Sequence, residues 1–164
     1  MRFNGLALVA SALVLAACGG GNEDTTTDTA AATATTPAAG GTATATGTAA
    51  PITGTTHEVR MVGDEKGYRF EPADITVKQG DGIKFIMISG GPHNVAFDPA
   101  NVPDDVEAQL SANMPNQMMP LSSPMFMNPN EAYTVSFANV KAGKYDYVCT
   151  PHLAMWMTGS VTVE

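Results

Sequence analysis

From residue 57 onward the chain offers no apolar stretch long or periodic enough for a bundle of helices. It has instead a series of short β-prone runs, at residues 58–62, 75–77, 83–88, 95–97, 133–137, 144–149 and 159–163, most of them separated by clusters of Gly, Pro, Asn or Asp. Short runs punctuated in this way build β-sandwiches and barrels. In Tyr133-Thr134-Val135-Ser136-Phe137 apolar residues alternate with hydroxyl residues, so one side of that strand faces a core and the other faces water. The same parity puts Tyr145, Tyr147 and Cys149 on one face and delivers the Cys149 thiol inward at a strand end. The one helix signal covers residues 104–110, where Pro103 and two aspartates open a short segment in a longer connection. The expected fold class is all-β, a single sandwich over residues 57–164.

The first third of the chain holds no core. Residues 1–17 carry one positive charge, Arg2, and an apolar run from Leu6 to Leu15 that is too short to span a bilayer and reads as an export signal. They end in Leu15-Ala16-Ala17-Cys18, which resembles the bacterial lipobox, and the resemblance implies cleavage before Cys18 and acylation of its thiol. Residues 18–56 are almost entirely Thr, Ala, Gly and Pro and form a flexible tether. A coil of that length spans roughly 30 to 35 Å. The chain is therefore expected to be exported to the periplasm or another extracytoplasmic face and held on a membrane by lipid at Cys18.

Residues 57–164 hold seven basic and thirteen acidic residues, a net charge of −6 with histidine neutral. Nucleic-acid binding needs a basic face and is excluded on that ground. With Cys18 consumed by processing, Cys149 is a single thiol in an oxidising compartment, a liability unless it is buried or bound.

Cys149 opens the stretch Cys149-Thr150-Pro151-His152-Leu153-Ala154-Met155-Trp156-Met157-Thr158-Gly159, which sets three kinds of metal donor within nine residues. A second histidine, His93, stands in Gly90-Gly91-Pro92-His93-Asn94-Val95 at the start of another predicted strand, and a sandwich brings such loops to one end. Two imidazoles and a thiolate with a weak axial thioether are the donor set of a blue copper site. The thiolate donates strongly to Cu(II), the imidazoles suit both oxidation states, and the thioether favours Cu(I). A coordinated Cys149 also stays a thiolate, which protects it.

These residues resemble the cupredoxins, the type 1 blue copper proteins, and within them plastocyanin and bacterial relatives that include amicyanin. The likeness covers residues 57–164. It includes the run from Phe70 through Pro72, Ile75 and Val77 to Gly80-Asp81, as well as Pro92-His93-Asn94-Val95 and the loop after Cys149. It implies a Greek-key cupredoxin sandwich with one copper ion held by His93, Cys149, His152 and Met157, and a hydrogen-bonding role for Asn94 in holding the thiolate. Amicyanin-like spacing would select Met155 as the axial ligand. The ten-residue step from Cys149 to Gly159 is plastocyanin-like and favours Met157.

The expected function is single-electron transfer to and from redox proteins of the cytochrome, oxidase or reaction-centre type, with no enzyme activity, since four protein ligands leave copper no open position. A binuclear copper site would require another cysteine near Cys149. The alternative function is copper storage or delivery at the cell envelope, for which residues 114–127, with five methionines, offer thioethers that serve equally as core filling or contact surface. Leu153, Ala154 and Trp156 form either a docking patch beside His152 or, if Trp156 folds inward, part of the core. His57, at the tether boundary with no partner motif, is read as an exposed residue without a role.

Overall fold

The computed structural model of the protein describes residues 49–164. The export signal, Cys18 and the tether as far as residue 48 lie outside the described residues. Eight strands form two four-stranded sheets. The first contains β1 (Thr56–Asp64), β2 (Gly67–Glu71), β4 (Gly82–Met87) and β6 (Ala132–Ser136), in the order β2-β1-β4-β6. The second contains β3 (Asp74–Val77), β5 (Ala96–Phe97), β7 (Gly143–Val148) and β8 (Thr158–Val163), in the order β3-β8-β7-β5. β1 runs parallel to β4 and β3 parallel to β8, so the chain crosses between the sheets rather than winding within one. Each predicted run lies on one of these strands or within a residue of it. The helix α1 (Asp104–Ala112) buries Val106 and Leu110 and carries Asp104, Asp105 and Glu107 at its N-terminus, where acidic groups suit the helix dipole.

The strand absent from the seven runs read in the sequence is β2. Only Phe70 of its five residues is buried, and Arg69 and Glu71 are spent on ion pairs along the sheet edge. A charged edge strand blunts pairing with other chains and carries no clean period-2 pattern. Inside the sandwich, Phe70 and Phe85 meet the Tyr147 ring edge-on, at centroid distances of 4.9 and 5.3 Å. Tyr147 also donates its hydroxyl to the Ala73 carbonyl at 3.0 Å, so a rigid aromatic block anchors the strand that ends at Cys149.

Two expectations change at the N-terminal side. Residues 50–55, expected to belong to the tether, lie against the sandwich: the Ala50 N–H donates to Asn113 Oδ1 at 2.9 Å, and Thr53 and Gly54 donate to the Gly80 carbonyl. His57 is not an idle surface residue. It is half-buried, and its Nε2 lies 2.9 Å from Asp81 Oδ2. Asp81 also accepts the N–H groups of Thr55 and Lys78 at 2.8 and 3.0 Å. One carboxylate thus ties the start of β1 to the turn before β4, and together these bonds hold its pKa down at about 2, the His57 bond counting most.

Candidate metal centre

The site sits at one end of the sandwich and is assembled from two loops. β7 alternates exposed Lys144 and Asp146 with buried Tyr145 and Tyr147, and the next inward position is Cys149, fully buried. Beyond it the chain turns through a 3-10 segment, Thr150–Met155, and returns so that the Cys149 N–H donates to the Met157 carbonyl at 3.0 Å. His93 is brought in by the loop after β4. There it pairs with Phe126 in both directions, at 3.1 and 2.8 Å, which extends the strand pairing into the loop.

The result is a buried cluster of His93, Cys149 and His152 with donor atoms all within 4.8 Å of one another. The Cys149 sulfur lies 3.5 Å from His93 Nδ1 and 3.4 Å from His152 Nδ1. Metal bonds of about 2.0 Å to nitrogen and about 2.3 Å to sulfur, opened by roughly 110°, separate N from S by about 3.5 Å, so the cluster has the dimensions of a metal site. Burial lowers the pKa of both imidazoles, aided at His152 by the nearby His93 ring, and keeps them in the neutral form that offers a lone pair. Burial pushes the Cys149 thiol up, against hydrogen bonds from the backbone N–H groups of Asn94 and His152 that work in the opposite sense. Binding a metal would therefore displace the thiol proton. Met157 is fully buried, whereas Met155 is 47% exposed.

Asn94, singled out for the thiolate, also ties the two loops together. Its Oδ1 accepts the Thr150 N–H at 2.7 Å, and its Nδ2 donates to Thr150 Oγ1 at 3.1 Å and Ser122 Oγ at 3.2 Å. His93 Nε2 lies 2.8 Å from the Ser89 carbonyl, which orients that ring. Sequence reasoning missed Tyr68, whose ring lies flat on His152 with centroids 3.8 Å apart. No pattern around Gly67-Tyr68 marks it out, since the contact depends on how the β1–β2 turn folds over the other loop.

Residues 57–164 match the plastocyanin/azurin family of copper-binding proteins. The chain belongs to that family. This cupredoxin is similar to the chloroplastic plastocyanin of Tetradesmus obliquus, 36% identical over 107 residues, which are 65% of this chain and 66% of that protein. It is 33% identical over 110 residues to plastocyanin of Nostoc punctiforme, covering 66% of this chain and 74% of that one. Among solved structures, a mutant fern plastocyanin aligns at 31% identity with a TM-score of 0.49, over 65% of this chain and 99% of its own. A reduced mutant amicyanin aligns at 30% with a TM-score of 0.48, over 66% and 82%. The cupredoxin binds a single copper ion and is an electron carrier rather than an enzyme.

The outer surface of the site is apolar. Trp156 is 85% exposed, and Leu153 and Met155 are exposed beside it, which resolves the alternatives for Trp156 in favour of the surface. A groove of about 410 Å³ next to Leu153 is lined by Phe97, Pro99, Met119, Pro120 and Val148 among others. The methionines of residues 114–127 divide: Met114 is core, while Met118, Met119 and Met127 are exposed.

Proposed function

We propose that His93, Cys149, His152 and Met157 hold the copper of an outer-sphere electron carrier, which stands outside the cytoplasm on a lipid anchor at Cys18. The observation that carries the ligand set is the convergence of three buried donors from loops 56 residues apart, His93 and Cys149, onto one point. The burial of Met157 and the exposure of Met155 support the former as the axial thioether. Bound there, copper supplies one-electron exchange between Cu(I) and Cu(II).

The chain's own part is to keep the donors fixed, so that little has to move when the charge changes. Asn94 locks the Cys149 loop to the His93 loop, the Ser89 carbonyl fixes one imidazole, and the aromatic block under Tyr147 stiffens the strand that carries the thiol. His152 is 6% exposed and lies beside Leu153, Met155 and Trp156. An apolar rim of this kind supports small, short-lived encounters with a redox protein of the cytochrome, oxidase or reaction-centre type. The sequence from Leu15 to Cys18 and the tether after it support membrane attachment.

Cu(II) added to the purified chain should give an intense blue thiolate-to-copper absorption. Cys149→Ala should remove it, Met157→Leu should shift it and Met155→Leu should leave it in place. A colourless copper complex of the wild-type chain would end this reading. Fatty-acid labelling of the wild-type chain but not of Cys18→Ser tests the anchor. The exposed thioethers of Met118, Met119 and Met127 favour a second reading, copper storage or delivery. The two differ in exchange: a carrier retains copper against a competing chelator through many redox cycles, whereas a delivery protein surrenders it quickly.

A further inference from the structure

The two imidazoles that face the Cys149 sulfur are held by different means. Histidines that bind metals are usually oriented by a hydrogen bond at the ring nitrogen turned away from the metal. His93 follows this rule through Nε2 and the Ser89 carbonyl, 2.8 Å apart. His152 turns Nδ1 toward Cys149, and among the described residues no hydrogen bond holds its Nε2.

What His152 has instead is Tyr68. The two rings stack face to face, with centroids 3.8 Å apart and an interplanar angle of 15°. The same tyrosine meets His93 edge-on at 6.2 Å and 66°, so one aromatic ring touches both imidazoles. Tyr68 is itself fixed from behind. It pairs with Gly63 across the β1–β2 ladder, and a Cβ at residue 63 would come within 2.7 Å of the tyrosine Cε1. The glycine therefore lets the ring lie where it reaches His152.

We propose that Tyr68 is the positioning residue for His152: its flat stack orients that imidazole as the Ser89 carbonyl orients His93, and leaves the Nε2 edge free of protein partners. The inference rests on the reading of His152 as a copper ligand. A face-on contact resists tilting and swinging of the ring while occupying neither nitrogen. Nδ1 thus remains available to the metal and the opposite edge to an incoming redox partner.

The test compares the full wild-type chain with Tyr68→Phe, Tyr68→Leu and His152→Gly. Tyr68→Leu should speed copper release from the reduced protein to a Cu(I) chelator by about 2- to 12-fold, the equivalent of one aromatic pair. It should also move the reduction potential and the blue absorption. Tyr68→Phe, which keeps the ring, should restore all three. In the copper-free wild-type chain the ring current of Tyr68 should displace the His152 ring protons upfield of those of His93. Wild-type release and potential in Tyr68→Leu, together with a blue band abolished by His152→Gly, would discard the positioning role and keep the metal site. A blue band that survives in His152→Gly would discard the site itself. Should the leucine variant fail to fold, the wild-type ring protons still decide, since an undisplaced His152 signal overturns the stack.

Discussion

Asn94→Ala cuts the strap between the two loops that form the copper end, and the structure sets the size of the effect. Asn94 is almost fully buried and makes three hydrogen bonds, to the Thr150 N–H at 2.7 Å, Thr150 Oγ1 at 3.1 Å and Ser122 Oγ at 3.2 Å. At about 1 kcal/mol net for each, the loss comes to about 3 kcal/mol. With a urea slope of about 1.5–2 kcal/mol/M for a domain of this size, the unfolding midpoint should fall by about 1.5–2 M. The measurement belongs on copper-free protein, so that metal affinity does not enter. Thr150→Val removes only the Oγ1 bond and should cost about 1 kcal/mol, and the double variant should show coupling of about the same size. A midpoint in Asn94→Ala within about 0.5 M of wild type, or no lower than that of Thr150→Val, would show that the strap does not hold the loops together.

Trp156 adopts the left-handed conformation at φ 62°, which costs a non-glycine residue about 1–2 kcal/mol, while its side chain is largely in solvent. Trp156→Gly should therefore unfold within about 1 kcal/mol of wild type in urea and yet slow electron exchange with a redox partner; equal rates would remove the tryptophan from the docking surface. Gly90 has φ 77° and packs against the backbone of Gly63, so Gly90→Ala should destabilise the copper-free protein by about 2 kcal/mol or more and broaden the Tyr68 ring signals, as read by urea melts and proton spectra. Asp81 keeps its proton off down to about pH 2, held chiefly by His57, whereas an unfolded aspartate titrates near about 3.9. The stability it contributes is complete above about pH 4 and is lost as pH falls toward about 2. Melting temperatures should drop more steeply over that interval in wild type than in Asp81→Asn, and parallel curves would refute the linkage.

The all-β class and the positions of most strands were legible because half-buried strands write their parity into the chain, as Tyr133 to Phe137 and Tyr145 to Cys149 do. The convergence of His93, Cys149 and His152 was legible for a different reason: thiolate, imidazole and thioether donors at short spacing have few uses other than holding a metal. What stayed hidden is whatever depends on contacts between segments that carry no pattern of their own. β2 buries one residue of five, so its alternation is faint. His57 looked idle because its partner, Asp81, lies 24 residues away across a parallel strand pair. Tyr68 was invisible because nothing local says that a hairpin folds its first aromatic ring over a loop more than eighty residues further along.

That hidden layer explains how a site made of loops can be rigid. Loops move more than strands unless something restrains them, and His93, Cys149 and His152 each have a restraint from a segment remote in sequence, to which His93 adds one from its own loop. The Cys149 loop is held by Asn94, His93 by Ser89 and Phe126, and His152 by Tyr68. A carrier that exchanges electrons quickly needs donors that stay still when the metal's charge changes. In this fold the immobility comes from four separate loops and turns locked to one another, with the aromatic block of the sandwich beneath them. A change in any one of the restraining residues should therefore reach the copper even where it touches no ligand.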